Sequence, residues 1–124
     1  MVTLVFALHR RPELSEAEFH RYWREQHAPL VRKHADALGI RRYSQLHTLD
    51  TPLTEAVRAS RGCAPSEYDG VALVWFDSLE ALGAAAATPE GLAAGAALLE
   101  DELRFLDLER CVIWLTDDHP VVEA

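Results

Sequence analysis

The sequence predicts an α+β fold of the ferredoxin-like kind, ordered β-α-β-β-α-β. Three observations point to it. Four short apolar runs have the length and β-branched content of buried strands. Helix-start signals follow the first and third of these runs. The two halves repeat weakly as strand, capped helix, strand. Right-handed crossovers then give a four-stranded antiparallel sheet with two helices on one face. A chain of 124 residues is one domain, large enough to bury a core without metal or disulfide staples.

The first strand is the run Val2 to Leu8. Arg10-Arg11-Pro12 ends it. Ser15 and Glu18 then form the pattern of a capping box, which starts a helix. Its apolar stripe is Phe19, Trp23, Leu30, Val31 and Leu38. Pro29 removes the amide that would bond the Glu25 carbonyl, so a kink is expected over 25–29. Gly39 is a natural stop. Residues 40–49 form the second strand, whose alternate positions Tyr43, Gln45 and His47 share a face. Neither face is cleanly apolar, which fits a strand lining a cavity and equally an exposed edge strand.

Residues 50–68 form a long connection with a possible helical turn at 54–60. A link of that length is often functional. The third strand spans 71–76. Asp77-Ser78-Leu79-Glu80 suggests another capping box, with an Ala-rich helix to about Ala87. Thr88 caps a second segment with Pro89 at its first position. Its expected buried stripe is Leu92, Ala96, Leu99, Leu103 and Leu106. Asp101 and Glu102 then fall on a helix face, with Glu102 able to approach a pocket. The fourth strand spans 111–116, and residues 117–124 are a polar tail.

Strands 1, 3 and 4 are apolar on both faces, yet two helices cover only one. The other face needs a partner, since large exposed apolar faces are rare in monomers. A second copy of the chain is expected, giving a homodimeric α+β barrel.

Net charge is −8, which argues against nucleic-acid binding. Residues 1–63 hold ten Lys/Arg and seven Asp/Glu, whereas residues 64–124 hold two Arg and thirteen acids. The charge of the halves complements within a chain or between chains, or the acidic half is a solvated face. No apolar run approaches the ~20 residues of a membrane span. The basic residues follow the first apolar run rather than precede it, the wrong order for a secretory signal, so a cytoplasmic location is expected. Cys63 and Cys111 show no metal or redox spacing, and free thiols are expected.

Six histidines are present. His20, His27 and His34 recur every seven residues along the first helix, so they share one face. Neighbours lie ~10.5 Å apart along the axis, too far to share one ion, and no metal site is expected. His20 and His34 are expected to face solvent. His27 sits at the Pro29 kink, one turn after Trp23. Histidine is well matched to proton transfer near neutral pH, so His27 is either a catalytic or binding group or a structural hydrogen-bonder. His47, if it faces inward with Tyr43 and Gln45, adds to a polar ladder in an apolar chamber. Phe6, Trp23 and Trp75 are candidate walls. No phosphate-binding glycine loop or nucleophile elbow is present.

The segment Phe19-His20-Arg21-Tyr22-Trp23-Arg24-Glu25-Gln26-His27-Ala28-Pro29-Leu30 resembles the EthD family, after a lead-in from Arg11 to Ser15. Tyr68 to Ala72, Trp75 to Ser78, and Asp101 to Phe105 are also similar to it. His9-Arg10 departs from the Lys-Arg of many members. The resemblance implies a dimeric α+β barrel and a cofactor-free enzyme. Members resemble lactone isomerases of aromatic catabolism and dehydratases, decarboxylases or cyclases of polyketides. Only His27 carries over as a functional match.

The expected function is therefore a lyase or isomerase without cofactor, acting on a small aromatic, lactone or polyketide-like molecule. His27 serves as acid or base, with His47 or Tyr43 as partner. The alternatives are cofactor-independent oxygenation of a phenolic polyketide and a non-catalytic small-molecule-binding or stress-response barrel.

Overall fold

Val2–Leu8 form β1, which pairs with strands on both sides, as its continuous apolar content requires. The computed structural model describes residues 1–123. After β1 come α1 (Glu16–Tyr22), a π-helical turn (Trp23–His27), α2 (Ala28–Leu38), β2 (Arg42–His47) and α3 (Pro52–Ala59). Then follow β3 (Gly70–Phe76), α4 (Leu79–Ala87), α5 (Pro89–Phe105), a 3₁₀ turn (Leu108–Arg110) and β4 (Val112–Asp117). The strands form one antiparallel sheet in the order β2-β3-β1-β4. The fold is thus α+β and ferredoxin-like, as the sequence predicts.

The local signals act where they stand. Ser15 accepts from the Glu18 amide and the Glu18 carboxylate accepts from the Ser15 amide, so the capping box is complete. Thr88 caps α5 with Pro89 in its first turn. Ser78 caps α4 from the Ala81 amide, but Glu80 does not close a box. The connection 50–68 holds a full helix, α3, capped reciprocally by Thr51 and Thr54. The expected kink at Pro29 is a π turn, in which the Ala28 amide reaches back five residues to the Trp23 carbonyl.

One helix is turned differently from expectation. Leu92, Leu99 and Leu103 of α5 face outward, at 64%, 48% and 52% exposure. Its buried residues are Gly91, Ala94, Asp101 and Phe105. Gly91 explains the choice. A Cβ there would lie 1.9 Å from the Ala85 carbonyl oxygen, so this face approaches α4 more closely than a leucine face could. α4 and α5 meet at 91°. Among the described residues no single helix is long and apolar enough to cross a membrane.

The registers divide the sheet into two faces. Leu4, Phe6 and Leu8 share theirs with Ala72, Val74, Phe76, Tyr43, Gln45, His47 and Ile113, on the helix side. Val5, Leu73, Trp75, Val112 and Trp114 lie on the other side. Trp114 there is 47% exposed. β2 is at once an edge strand and a cavity-lining one, so both explanations of its mixed pattern hold.

Candidate active site

Between the sheet and the helices lies an apolar cavity of about 290 Å³. Leu4, Phe6, Leu8, Val74, Phe76 and Trp23 form much of its wall. Three polar side chains line it: His27, Tyr43 and Glu102. Apolar walls with a few convergent polar groups are the usual composition of a small-molecule site.

The π turn places both Trp23 and His27 in the interior. The His27 ring packs against Phe105 at 5.1 Å between centroids. Its Nδ1 lies 2.8 Å from Asp101 Oδ2, a buried pair contributed by α5. A carboxylate only accepts, so Nδ1 carries the proton and Nε2 is left with a lone pair. Asp101 is itself held: the Tyr22 hydroxyl donates to Oδ1 at 2.6 Å, and Arg104 lies 3.6 Å from the same oxygen. Burial pushes the His27 pKa down from its ordinary value, and Asp101 opposes this. His27 is therefore a neutral, oriented base near pH 7.

Glu102 is the next residue of the same helix. Burial, then the charge of Asp101, raises its carboxyl to about 7. Tyr43 is raised by burial and stays a phenol. One cavity thus holds a neutral imidazole, a phenol and a carboxyl poised near neutrality. Titrating groups separated by their surroundings in this way are suited to acid and base roles.

Of the residues singled out from sequence, His27, Tyr43, Phe6 and Trp23 line the cavity. Trp75 does not; it lies on the opposite sheet face, under the Arg42 guanidinium at 4.5 Å, and donates to Asp118. His47 does not reach the cavity either. It stacks behind Trp23 at 4.5 Å, bonds Gln45 at 2.9 Å, and meets His20 nitrogen to nitrogen at 2.8 Å. His20 is accordingly half-buried rather than solvent-facing. His27 and His47 are separated by the Trp23 ring. Asp101 is the partner that sequence reasoning missed. The signal was an acid in the series Ala94, Leu98, Asp101, Phe105 at helical spacing, hidden by the assumed leucine stripe. Among the described residues no cluster of His, Cys, Asp or Glu is placed to hold a metal ion.

A ferredoxin-like sheet enclosing a chamber with its helices defines the class of the protein. The chain belongs to the EthD family, whose domain model matches residues 11–109. Among curated proteins no sequence matches it. Solved structures share the fold. An EthD-family protein from Bacillus halodurans superposes with a TM-score of 0.62 at 23% identity, covering 96% of this chain and 100% of that one. SnoaB, a cofactor-independent oxygenase from Streptomyces nogalater, gives 0.57 at 17%, covering 99% and 97%. A dimeric ferredoxin-like protein of unknown function from Thermobifida fusca gives 0.55 at 16%, covering 93% and 88%.

Proposed function

We propose that the protein is a cofactor-independent lyase or isomerase acting on a small aromatic, lactone or polyketide-like molecule, as a homodimer. The observation that carries this is that His27, paired with Asp101, lines an apolar cavity that Tyr43 and Glu102 also line. Asp101 holds His27 in one tautomer, and Nε2 takes a proton from a carbon beside a carbonyl. Tyr43 donates to the oxygen that gains charge. Glu102, protonated near neutrality, delivers a proton to the departing hydroxyl in a dehydration, so water leaves. In an isomerisation it delivers the proton to the second carbon. His27 then returns its proton to Glu102, and the cycle closes. Such positioned groups typically contribute ~10²–10⁴-fold each.

The second reading is oxygenation of an electron-rich phenol. Its support is the shared fold with an oxygenase that needs no cofactor. Oxygen uptake with a phenolic polyketide separates it from the first.

The test is turnover of β-hydroxy aryl ketones and unsaturated lactones by wild type, His27→Ala, Asp101→Asn and His47→Ala. His27→Ala and Asp101→Asn should lose at least ~10²-fold in kcat, and His47→Ala much less, because it does not reach the cavity. Wild-type rates in His27→Ala would end the proposal. A ligand bound tightly and recovered intact would favour a binding barrel.

A further inference from the structure

A chain of hydrogen bonds runs behind the cavity wall from His20 to Tyr43, and its direction is determined. The Gln45 amide nitrogen lies 2.8 Å from the Trp23 carbonyl oxygen, which can only accept. That fixes Nε2 as the nitrogen. The same nitrogen lies 3.1 Å from the Tyr43 hydroxyl oxygen and donates to it. The Gln45 carbonyl oxygen therefore accepts from His47 Nε2 at 2.9 Å. A neutral His47 protonated at Nε2 has a bare Nδ1, and it accepts from His20 Nδ1 at 2.8 Å. Every proton points toward Tyr43. The Tyr43 oxygen accepts from Gln45, and its own hydrogen has no protein acceptor among the described residues.

We infer that Gln45, locked by His47 and Trp23, is a positioning residue that commits the Tyr43 hydroxyl to donate into the cavity. The chamber then selects a ligand whose carbonyl oxygen meets Tyr43. This deepens the proposed function and rests on the cavity being the substrate site. It also gives His47 and His20 a role that their distance from the cavity would otherwise deny them. Desolvation, His20 and the nearby Arg24 each disfavour a charged His47, which keeps the donor order intact.

The experiment has two readouts. The first needs no ligand. In protein labelled with ¹³Cζ-tyrosine, the Tyr43 resonance is assigned with Tyr43→Phe and titrated with pH. Gln45→Leu removes the bond donated to Tyr43, so Tyr43 should ionise at higher pH than in wild type, and its resonance should move at neutral pH. An unmoved Tyr43 overturns the inference whatever any ligand does.

The second uses 4-dimethylaminocinnamaldehyde, whose absorption moves to longer wavelength when its carbonyl accepts a hydrogen bond. Wild type should bind it with that shift. Tyr43→Phe and Gln45→Leu should each lose about tenfold in affinity and lose the shift. The double variant should lose no more than Tyr43→Phe alone, because Gln45 acts through Tyr43. 4-Dimethylaminostyrene, which lacks the oxygen, should bind all four proteins alike. A Gln45→Leu loss repeated in the Tyr43→Phe background, or an aldehyde that the wild type binds without the shift or does not bind, refutes the inference. Turnover by His27→Ala is measured separately, so the failure of the proposed reaction and of this donor chain are distinguishable.

Discussion

Replacing Glu102 with Gln should stabilise the protein at pH 8 and leave it nearly unchanged at pH 4.5. Glu102 lines an apolar cavity beside the charged Asp101, and its carboxyl is raised from 4.5 to about 7. The folded protein therefore keeps a proton that the unfolded chain gives up between those values. The penalty is absent below 4.5 and complete above 7, so stability falls as pH rises through this window. At about 1.4 kcal/mol for each pH unit, the full penalty is about 3 kcal/mol. That is a ceiling, since the side chain keeps some contact with solvent. Gln copies the shape and neutrality of the protonated acid, so it removes the penalty alone. Urea unfolding followed by circular dichroism measures it. With slopes typical of a small domain, the midpoint should rise by roughly 1–2 M at pH 8 with an unchanged slope. An equal gain at both pH values, or none at pH 8, refutes the reasoning. A protein that carries an uncompensated buried acid at some cost in stability is expected to use it.

The pH profile of turnover should be a bell. It should rise as His27 loses its proton below the ordinary histidine value and fall as Glu102 ionises through about 7, so the optimum is slightly acidic; a plateau extending past pH 8 would exclude Glu102 as the acid. Gly70→Ala should destabilise by about 2–3 kcal/mol, because its Cβ would lie 2.5 Å from the buried Trp23 ring and 2.8 Å from the Leu46 carbonyl oxygen. Gly95→Ala, with nothing within 4 Å, should stabilise α5 by about 0.5–1 kcal/mol, and thermal melts compare the two. Trp114→Asp, on the edge strand β4 of the uncovered sheet face, should convert a homodimer to monomer in analytical ultracentrifugation; an unchanged mass would place the dimer contact elsewhere.

The sequence pattern was most informative where one residue type forces one backbone outcome. Ser15 with Glu18 and Thr88 with Pro89 begin helices at the residues they mark. It was least informative for α5, which has two apolar faces. Hydrophobicity favoured Leu92, Leu99 and Leu103, but Gly91 and Ala94 allow a closer approach to the rest of the fold. Proximity decided, and that rotation carried Asp101 and Glu102 inward. Strand alternation placed His47 on the correct face of β2 but said nothing of depth, and the Trp23 ring fills the space between it and the cavity.

His27 and Tyr43 reach the cavity from different elements, yet one feature serves both. Pro29 has no amide to offer the Glu25 carbonyl, and the helix there takes a π turn. The Trp23 carbonyl at the start of this turn receives the Ala28 amide and the Gln45 side chain together. The first bond closes the turn that carries His27. The second fixes the amide that orients Tyr43. The proposed base and the proposed hydrogen-bond donor are thus indexed to a single backbone oxygen, while Asp101 and Glu102 approach as one dipeptide from α5. A motif that looks in sequence like a helix interrupted by proline is therefore what sets the two sides of the site against each other. The Trp-x-x-x-His-x-Pro spacing has a physical reason: Trp supplies both the ring that closes the wall and the carbonyl that anchors it, His the proposed base, and Pro the missing amide that opens the turn.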